Sequence, residues 1–137
     1  NTNVQFFIAA YLIGGIPFGL LLAKKFAGVD VKASGSGSIG ATNVLRVVKE
    51  SDPALAKKLG AATLALDAIK GVAVLSVTYF AGLSEATLWG IALLAIIGHC
   101  FSPYLNFEGG KGVATGMGVM MFMLPLETFI ALVVWAL

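Results

Sequence analysis

The sequence predicts an all-α, polytopic membrane protein, and three observations predict it. Of 137 residues, 58% are hydrophobic and only 12% are charged, against roughly a quarter charged in soluble domains. Mean hydropathy is +0.94. The apolar residues gather into runs separated by polar or glycine- and proline-containing breaks. So little polar surface cannot cover a soluble fold of this size. Residues 1–137 read as a single integral membrane domain.

The first span runs from Val4 to about Ala23 and is closed by Lys24 and Lys25. About twenty residues suffice to cross a bilayer. Gly14, Gly15, Pro17 and Gly19 lie inside it, and small residues there permit close helix approach. A polar segment follows, from Lys24 to Lys58. The second span covers about Leu59 to Leu83 and carries Asp67 and Lys70. Three apart, these share one helix face and can pair. A structural ion pair is expected, because a lone charge in the membrane is costlier than a paired one facing protein. The third span, about Thr87 to Ile97, and the fourth, about Val113 to Leu124, are short. Pro125 breaks the pattern, and a fifth span runs from near Leu126 to Leu137. Glu127 falls in its first turn, where a carboxylate suits a helix N-terminus.

Lysines and arginines choose the orientation. Lys24, Lys25, Lys32, Arg46, Lys49, Lys57 and Lys58 all lie in the long polar segment, and the Ser84–Ala86 and Pro125 connections hold none. The positive-inside rule puts that segment in the cytoplasm and the N-terminus outside. Alternating the spans brings the Gly98–Gly112 loop to the same face. Leu137 ends an apolar run with no basic stop after it, and the first residue is not methionine; the chain is expected to be part of a longer one. Cys100 is the sole cysteine and His99 the sole histidine. That excludes an internal disulfide and a histidine metal cluster, and no metal or other cofactor is expected. A net charge of +2 gives no reason to expect a nucleic-acid partner.

Two glycine-rich stretches carry the chemistry. Gly35-Ser36-Gly37-Ser38-Ile39-Gly40-Ala41-Thr42-Asn43 is followed by Arg46, and Glu108-Gly109-Gly110-Lys111-Gly112-Val113-Ala114-Thr115-Gly116 surrounds Lys111. Glycines let backbone N–H groups turn toward one point and form an anion-binding concavity. Ser36, Ser38, Thr42 and Asn43 supply neutral donors. Arg46 can grip two phosphate oxygens. Lys111 is a compact charge just before a helix start, where N–H groups favour anions. The first stretch matches G-x-G-x-x-G, but no βαβ unit surrounds it, and the second lacks Walker A spacing. The bland alternatives are flexible loops near the headgroups and, for Arg46, a headgroup-binding charge. His99 is either a general acid or base, a ligand-orienting group, or a satisfied interfacial histidine.

The segment from Ser36 to Arg46, with Gly98-His99 and Phe107 to Thr115, resembles the bacterial acyl-phosphate glycerol 3-phosphate acyltransferases, the PlsY family. Tyr11 to Gly19 and Asp67 to Gly71 are similar to it too. The resemblance implies a seven-span enzyme of the bacterial inner membrane with its N-terminus outside and its active site facing the cytoplasm. It implies transfer of a fatty acyl group from acyl phosphate to the 1-hydroxyl of glycerol 3-phosphate, giving lysophosphatidic acid and phosphate in phospholipid biosynthesis. It implies catalysis assisted by substrate phosphate rather than by a side-chain triad. Lys111, Ser36 and Arg46 are the expected catalytic residues. Gly35, Gly37, Ser38, Gly40, Thr42, Asn43, His99, Gly109, Gly110, Gly112 and Thr115 are expected to bind substrate. The partners are acyl phosphate, glycerol 3-phosphate and membrane lipid. Ser38 departs from the usual asparagine of the first motif, and Pro103 stands one position later than the usual proline. The family's third motif has no counterpart before Leu137. Two rival readings are a phosphate or organic-anion transporter, with its site near the bilayer midplane, and a non-catalytic scaffold subunit.

Overall fold

The computed structural model describes residues 1–137. It is all-helical: α1 (Thr2–Gly14), α2 (Phe18–Leu22) continuing through a π-helical turn (Ala23–Ala27), α3 (Ala41–Lys49), α4 (Pro53–Phe80), α5 (Glu85–Cys100), a 3₁₀ turn (Pro103–Leu105), α6 (Val113–Met123) and α7 (Pro125–Ala136). Two segments, Thr2–Ala27 and Pro53–Phe80, are long and apolar enough to cross a membrane, with mean hydropathies of 2.1 and 1.5. The helices Glu85–Cys100, Val113–Met123 and Pro125–Ala136 are apolar but shorter. Outward-facing side chains such as Ile69, Val77, Leu93 and Val134 are exposed and apolar, as in a protein whose solvent is lipid.

Three boundaries differ from the sequence expectation. The first span is not continuous. Proline lacks an N–H and clashes with the preceding turn, so the helix stops at Gly14 and restarts at Phe18. The break frees carbonyls that other elements use: Ser102 Oγ donates to Gly15 O at 2.6 Å, and Lys70 Nζ to Ile16 O at 3.0 Å. The second span starts at Pro53, not Leu59, because Asp52 caps it by accepting from Leu55 N at 3.0 Å and proline is pre-organised at the first helical position. The polar segment also contains a helix, α3. Its Val44, Val47 and Val48 lie three to four apart and are buried against Leu20, Ala23, Ala56 and Leu59, while Arg46 and Lys49 face outward.

α4 is the axis of the molecule, with α1, α2, α3, α5 and α6 all packed on it. Small residues bring backbones together, as in other membrane bundles. A methyl at Gly98 would overlap the Tyr11 carbonyl on α1, and one at Gly118 the Ala68 backbone on α4. The segment after α5 is stapled to α1: Tyr11 Oη donates to Phe101 O at 2.7 Å and Tyr104 Oη to Leu12 O at 2.9 Å. These contacts hold the segment that leads into the second glycine-rich loop against α1.

Candidate active site

Asn43 builds the first loop from inside. It is 2% exposed. Its Nδ2 lies 3.0, 3.2 and 2.8 Å from Val31 O, Ser34 O and Ser38 O, its two protons shared among the three carbonyls. Its Oδ1 accepts from Ser36 N at 3.0 Å. Gly37 N donates to Ser34 O, and Gly40 N to Ser38 Oγ. Most loop N–H groups are therefore engaged within the loop and do not form an anion nest. Gly35 is needed for another reason: at φ 57° its Cα lies against the Asn43 amide, with no room for a side chain.

The free donors lie one step further along. α3 and α6 both begin without a side-chain cap, at Gly40 and Gly112. The first N–H groups of a helix have no intrahelical partner and carry its positive dipole end. Gly40, Ala41, Thr42 and Asn43 of one start, and Gly112, Val113 and Ala114 of the other, line a single cavity of about 280 Å³. Ser36, Ser38, Arg46, Lys111, His99, Asp67 and Leu64 complete its wall. A second cavity of about 310 Å³ lies further out. Its lining is wholly polar or glycine: Lys32, Ser36, Gly37, Ser38, Glu108, Gly109, Gly110 and Lys111. The two share Ser36, Ser38 and Lys111.

The two loops thus meet, and an ion pair joins them: Lys32 Nζ donates to Glu108 Oε2 at 2.8 Å. The hydrogen bond from Lys32, then its charge, holds the Glu108 carboxyl below the ordinary carboxylate range. A lowered carboxyl contributes stability that is complete above its unfolded pKa and fades as pH falls through the folded value. Replacing Glu108 with Gln should remove that acid-side dependence from the loop contact. A Glu108→Gln protein whose thermal midpoint falls with acid along the parent's curve, at low salt, would show that the pair contributes nothing.

Two expected substrate-binding residues do not reach either cavity. Thr115 is fully buried, and its Oγ1 donates to the Asp67 carbonyl at 2.8 Å, joining α6 to α4. Gly35 lies beneath the loop, as described. Gly109 and Gly110 line the outer cavity, but their smallness also serves packing. A methyl on Gly109 would overlap the His99 carbonyl, and one on Gly110 the His99 ring. Gly110 N–H donates to His99 O at 3.1 Å. Lys32 and Glu108 were not singled out from the sequence; a lysine and a glutamate seventy-six positions apart carry no local signal.

Asp67 and Lys70 pair as their spacing predicts, with Nζ 3.1 Å from Oδ1. The contact is ionic without good hydrogen-bond alignment, since Oδ1 accepts no hydrogen bond. His99 joins them, its Nδ1 2.8 Å from Lys70 Nζ. Asp67 and His99 line the inner cavity, and Lys70 is buried against both of them.

A family model described as Glycerol-3-phosphate acyltransferase matches residues 4–137. A glycerol-3-phosphate acyltransferase of Sulfurimonas denitrificans is 85% identical over 137 residues, covering 100% of this chain and 67% of that protein. One from Nitratiruptor sp. is 62% identical over 135 residues, covering 98% of this chain and 65% of that protein. The crystal structure of PlsY (YgiH), an integral membrane glycerol 3-phosphate acyltransferase, in its glycerol 3-phosphate form superposes with a TM-score of 0.83 at 35% identity, over 99% of this chain and 64% of that one. Its lysophosphatidic acid form gives a TM-score of 0.81 at 34% identity, over 98% of this chain and 63% of that one. The chain spans about two thirds of the length of the relatives it matches.

Proposed function

The chain belongs to the glycerol-3-phosphate acyltransferase family, and on that premise we propose that the complete protein transfers a fatty acyl group from acyl phosphate to the 1-hydroxyl of glycerol 3-phosphate. The products are lysophosphatidic acid and phosphate. One observation carries the reading: two adjoining cavities share a lysine and two serines. Two phosphorylated substrates can lie side by side there, with Lys111 between them.

The inner cavity takes the acyl phosphate head. Arg46, Ser36, Thr42 and the starts of α3 and α6 surround it. Leu64 and Val113 give it an apolar side, toward which the acyl chain leaves into the lipid between helices. The outer cavity, with no apolar side chain, takes glycerol 3-phosphate, held by Lys111 and the Gly109–Gly110 loop. Asn43 and Gly35 shape the first loop for this, and Thr115 seats α6.

The hydroxyl oxygen attacks the acyl carbon. A new ester bond forms, the carbon–oxygen bond to phosphate breaks, and the hydroxyl proton passes to the departing phosphate. Phosphate is a good leaving group, so no covalent enzyme intermediate is required. Holding the reactants together replaces a bimolecular encounter. Arg46, Lys111 and the helix starts offset the negative charge of two phosphates and of the developing oxyanion. The charge distribution supports an orientation with the loops in the cytoplasm and the N-terminus outside, in the bacterial inner membrane.

The full-length protein, purified and given acyl phosphate, should make lysophosphatidic acid only when glycerol 3-phosphate is present, releasing one phosphate per ester formed. Uptake of phosphate into vesicles without acyl transfer would support the transporter reading and overturn this one.

A further inference from the structure

Three ionisable side chains meet beneath the inner cavity, two of which, Asp67 and His99, line it. Asp67, Lys70 and His99 are 2%, 4% and 3% exposed. The Lys70 ammonium lies 2.8 Å from His99 Nδ1 and 3.0 Å from the Ile16 carbonyl, beside Asp67 Oδ1 at 3.1 Å. An ammonium has three protons and no lone pair, so the imidazole nitrogen facing it must accept. The ring proton is then on Nε2. Asp67 Oδ1, at 3.9 Å from Nδ1, is too far to reverse this. Nε2 makes no hydrogen bond within the protein. It rests against Gly110, where a methyl would overlap it, and His99 is among the residues that line the inner cavity with Lys111.

We propose that Lys70 is a positioning residue: its ammonium fixes His99 as the Nε2–H tautomer and aims that N–H into the inner cavity as a donor to a phosphoryl group. The identity of that group as the head of acyl phosphate rests on the function proposed above; the tautomer does not. Asp67 balances the lysine's charge, and the Ile16 carbonyl, freed by the break before α2, holds it in place. The arrangement excludes His99 as the general base for the attacking hydroxyl. Nε2 already carries a proton, and Nδ1 is blocked by the lysine. The Gly15–Pro17 break, Lys70 and His99 are thus parts of one device, although they lie far apart in the chain.

The test is the nitrogen NMR spectrum of the full-length protein labelled with ¹⁵N-histidine, the His99 signals being identified by their loss in His99→Gln. The parent should show the Nε2–H tautomer. Lys70→Met should lose that preference. So should the charge-balanced Lys70→Met/Asp67→Asn protein, which serves where the single variant does not fold. A parent in the Nδ1–H form, or an Nε2–H form that survives loss of the lysine, overturns the proposal. Turnover gives a second reading. Glutamine can place an amide N–H near the Nε2 position and asparagine only near Nδ1. His99→Gln should keep acyl transfer within about tenfold, while His99→Asn should lose on the order of a hundredfold, as when an oxyanion donor is removed. Equal losses in the two would mean that the ring serves packing alone. A parent whose Nε2–H preference is lost in Lys70→Met but that shows no acyl transfer would refute the reaction and uphold the lysine's role.

Discussion

Lys111→Ala in the full-length protein should cut acyl transfer on the order of a hundredfold or more, the scale seen when a group stabilising transition-state charge is lost. Lys111 is the one cation that lines both cavities, so its removal leaves two phosphates facing each other with less to neutralise them. The protein should still insert and fold. Lys111 is exposed, precedes α6 and forms no ion pair. Lys111→Arg should rescue poorly. A planar fork does not replace a compact charge between Gly110 and Gly112, where His99 and Cys100 already crowd the backbone. Steady-state turnover with both substrates checks this. Near-normal turnover by a folded Lys111→Ala protein would take the lysine out of the site and favour the scaffold reading.

Asp67→Asn should produce the largest loss of stability. Lys70 would remain in the bundle with its counter-charge gone. Removing one partner of a buried pair costs about 3–5 kcal/mol, because the other charge is left without compensation. Thermal unfolding in detergent should show a clear fall for the single variant and a partial recovery for Asp67→Asn/Lys70→Met, which removes both charges. An unchanged midpoint for Asp67→Asn would mean that the ammonium is satisfied by the Ile16 carbonyl and His99 alone. A double variant that folds normally yet loses far more turnover than His99→Asn would move the pair from support into the chemistry.

Much of the fold is legible in local sequence. The apolar runs locate the helices, Pro125 separates α6 from α7, and Gly112 marks the start of α6. The Asp67–Lys70 pair follows from helical spacing alone. α3 is hidden because its inward valines flank Arg46, are followed by Lys49 and Glu50, and are preceded by the glycine loop, so the segment as a whole reads as polar. The start of α4 was misplaced because Lys57 and Lys58 look like the end of a loop, whereas the Asp52–Pro53 cap decides where the helix begins. The structure brings the expected loop residues to two adjoining cavities, except Gly35 and Thr115. Glycines suggest N–H groups turned to a ligand. Whether those N–H groups are free depends on Asn43 reaching back to Val31 and Ser34, a tertiary fact that no motif carries. Thr115 has the chemistry of a ligand donor, and only the packing of α6 on α4 shows that its hydroxyl is taken by Asp67.

In the proposed reaction one site, between the starts of α3 and α6, holds both phosphorylated substrates. A crystal structure of the full-length protein with glycerol 3-phosphate and a non-transferable acyl phosphate analogue tests it most directly. Two phosphorus positions are expected on either side of Lys111, one bordered by Arg46 and the α3 start, the other by Gly109, Gly110 and Lys32. A single phosphate position, or two at a distance from these loops, would contradict it.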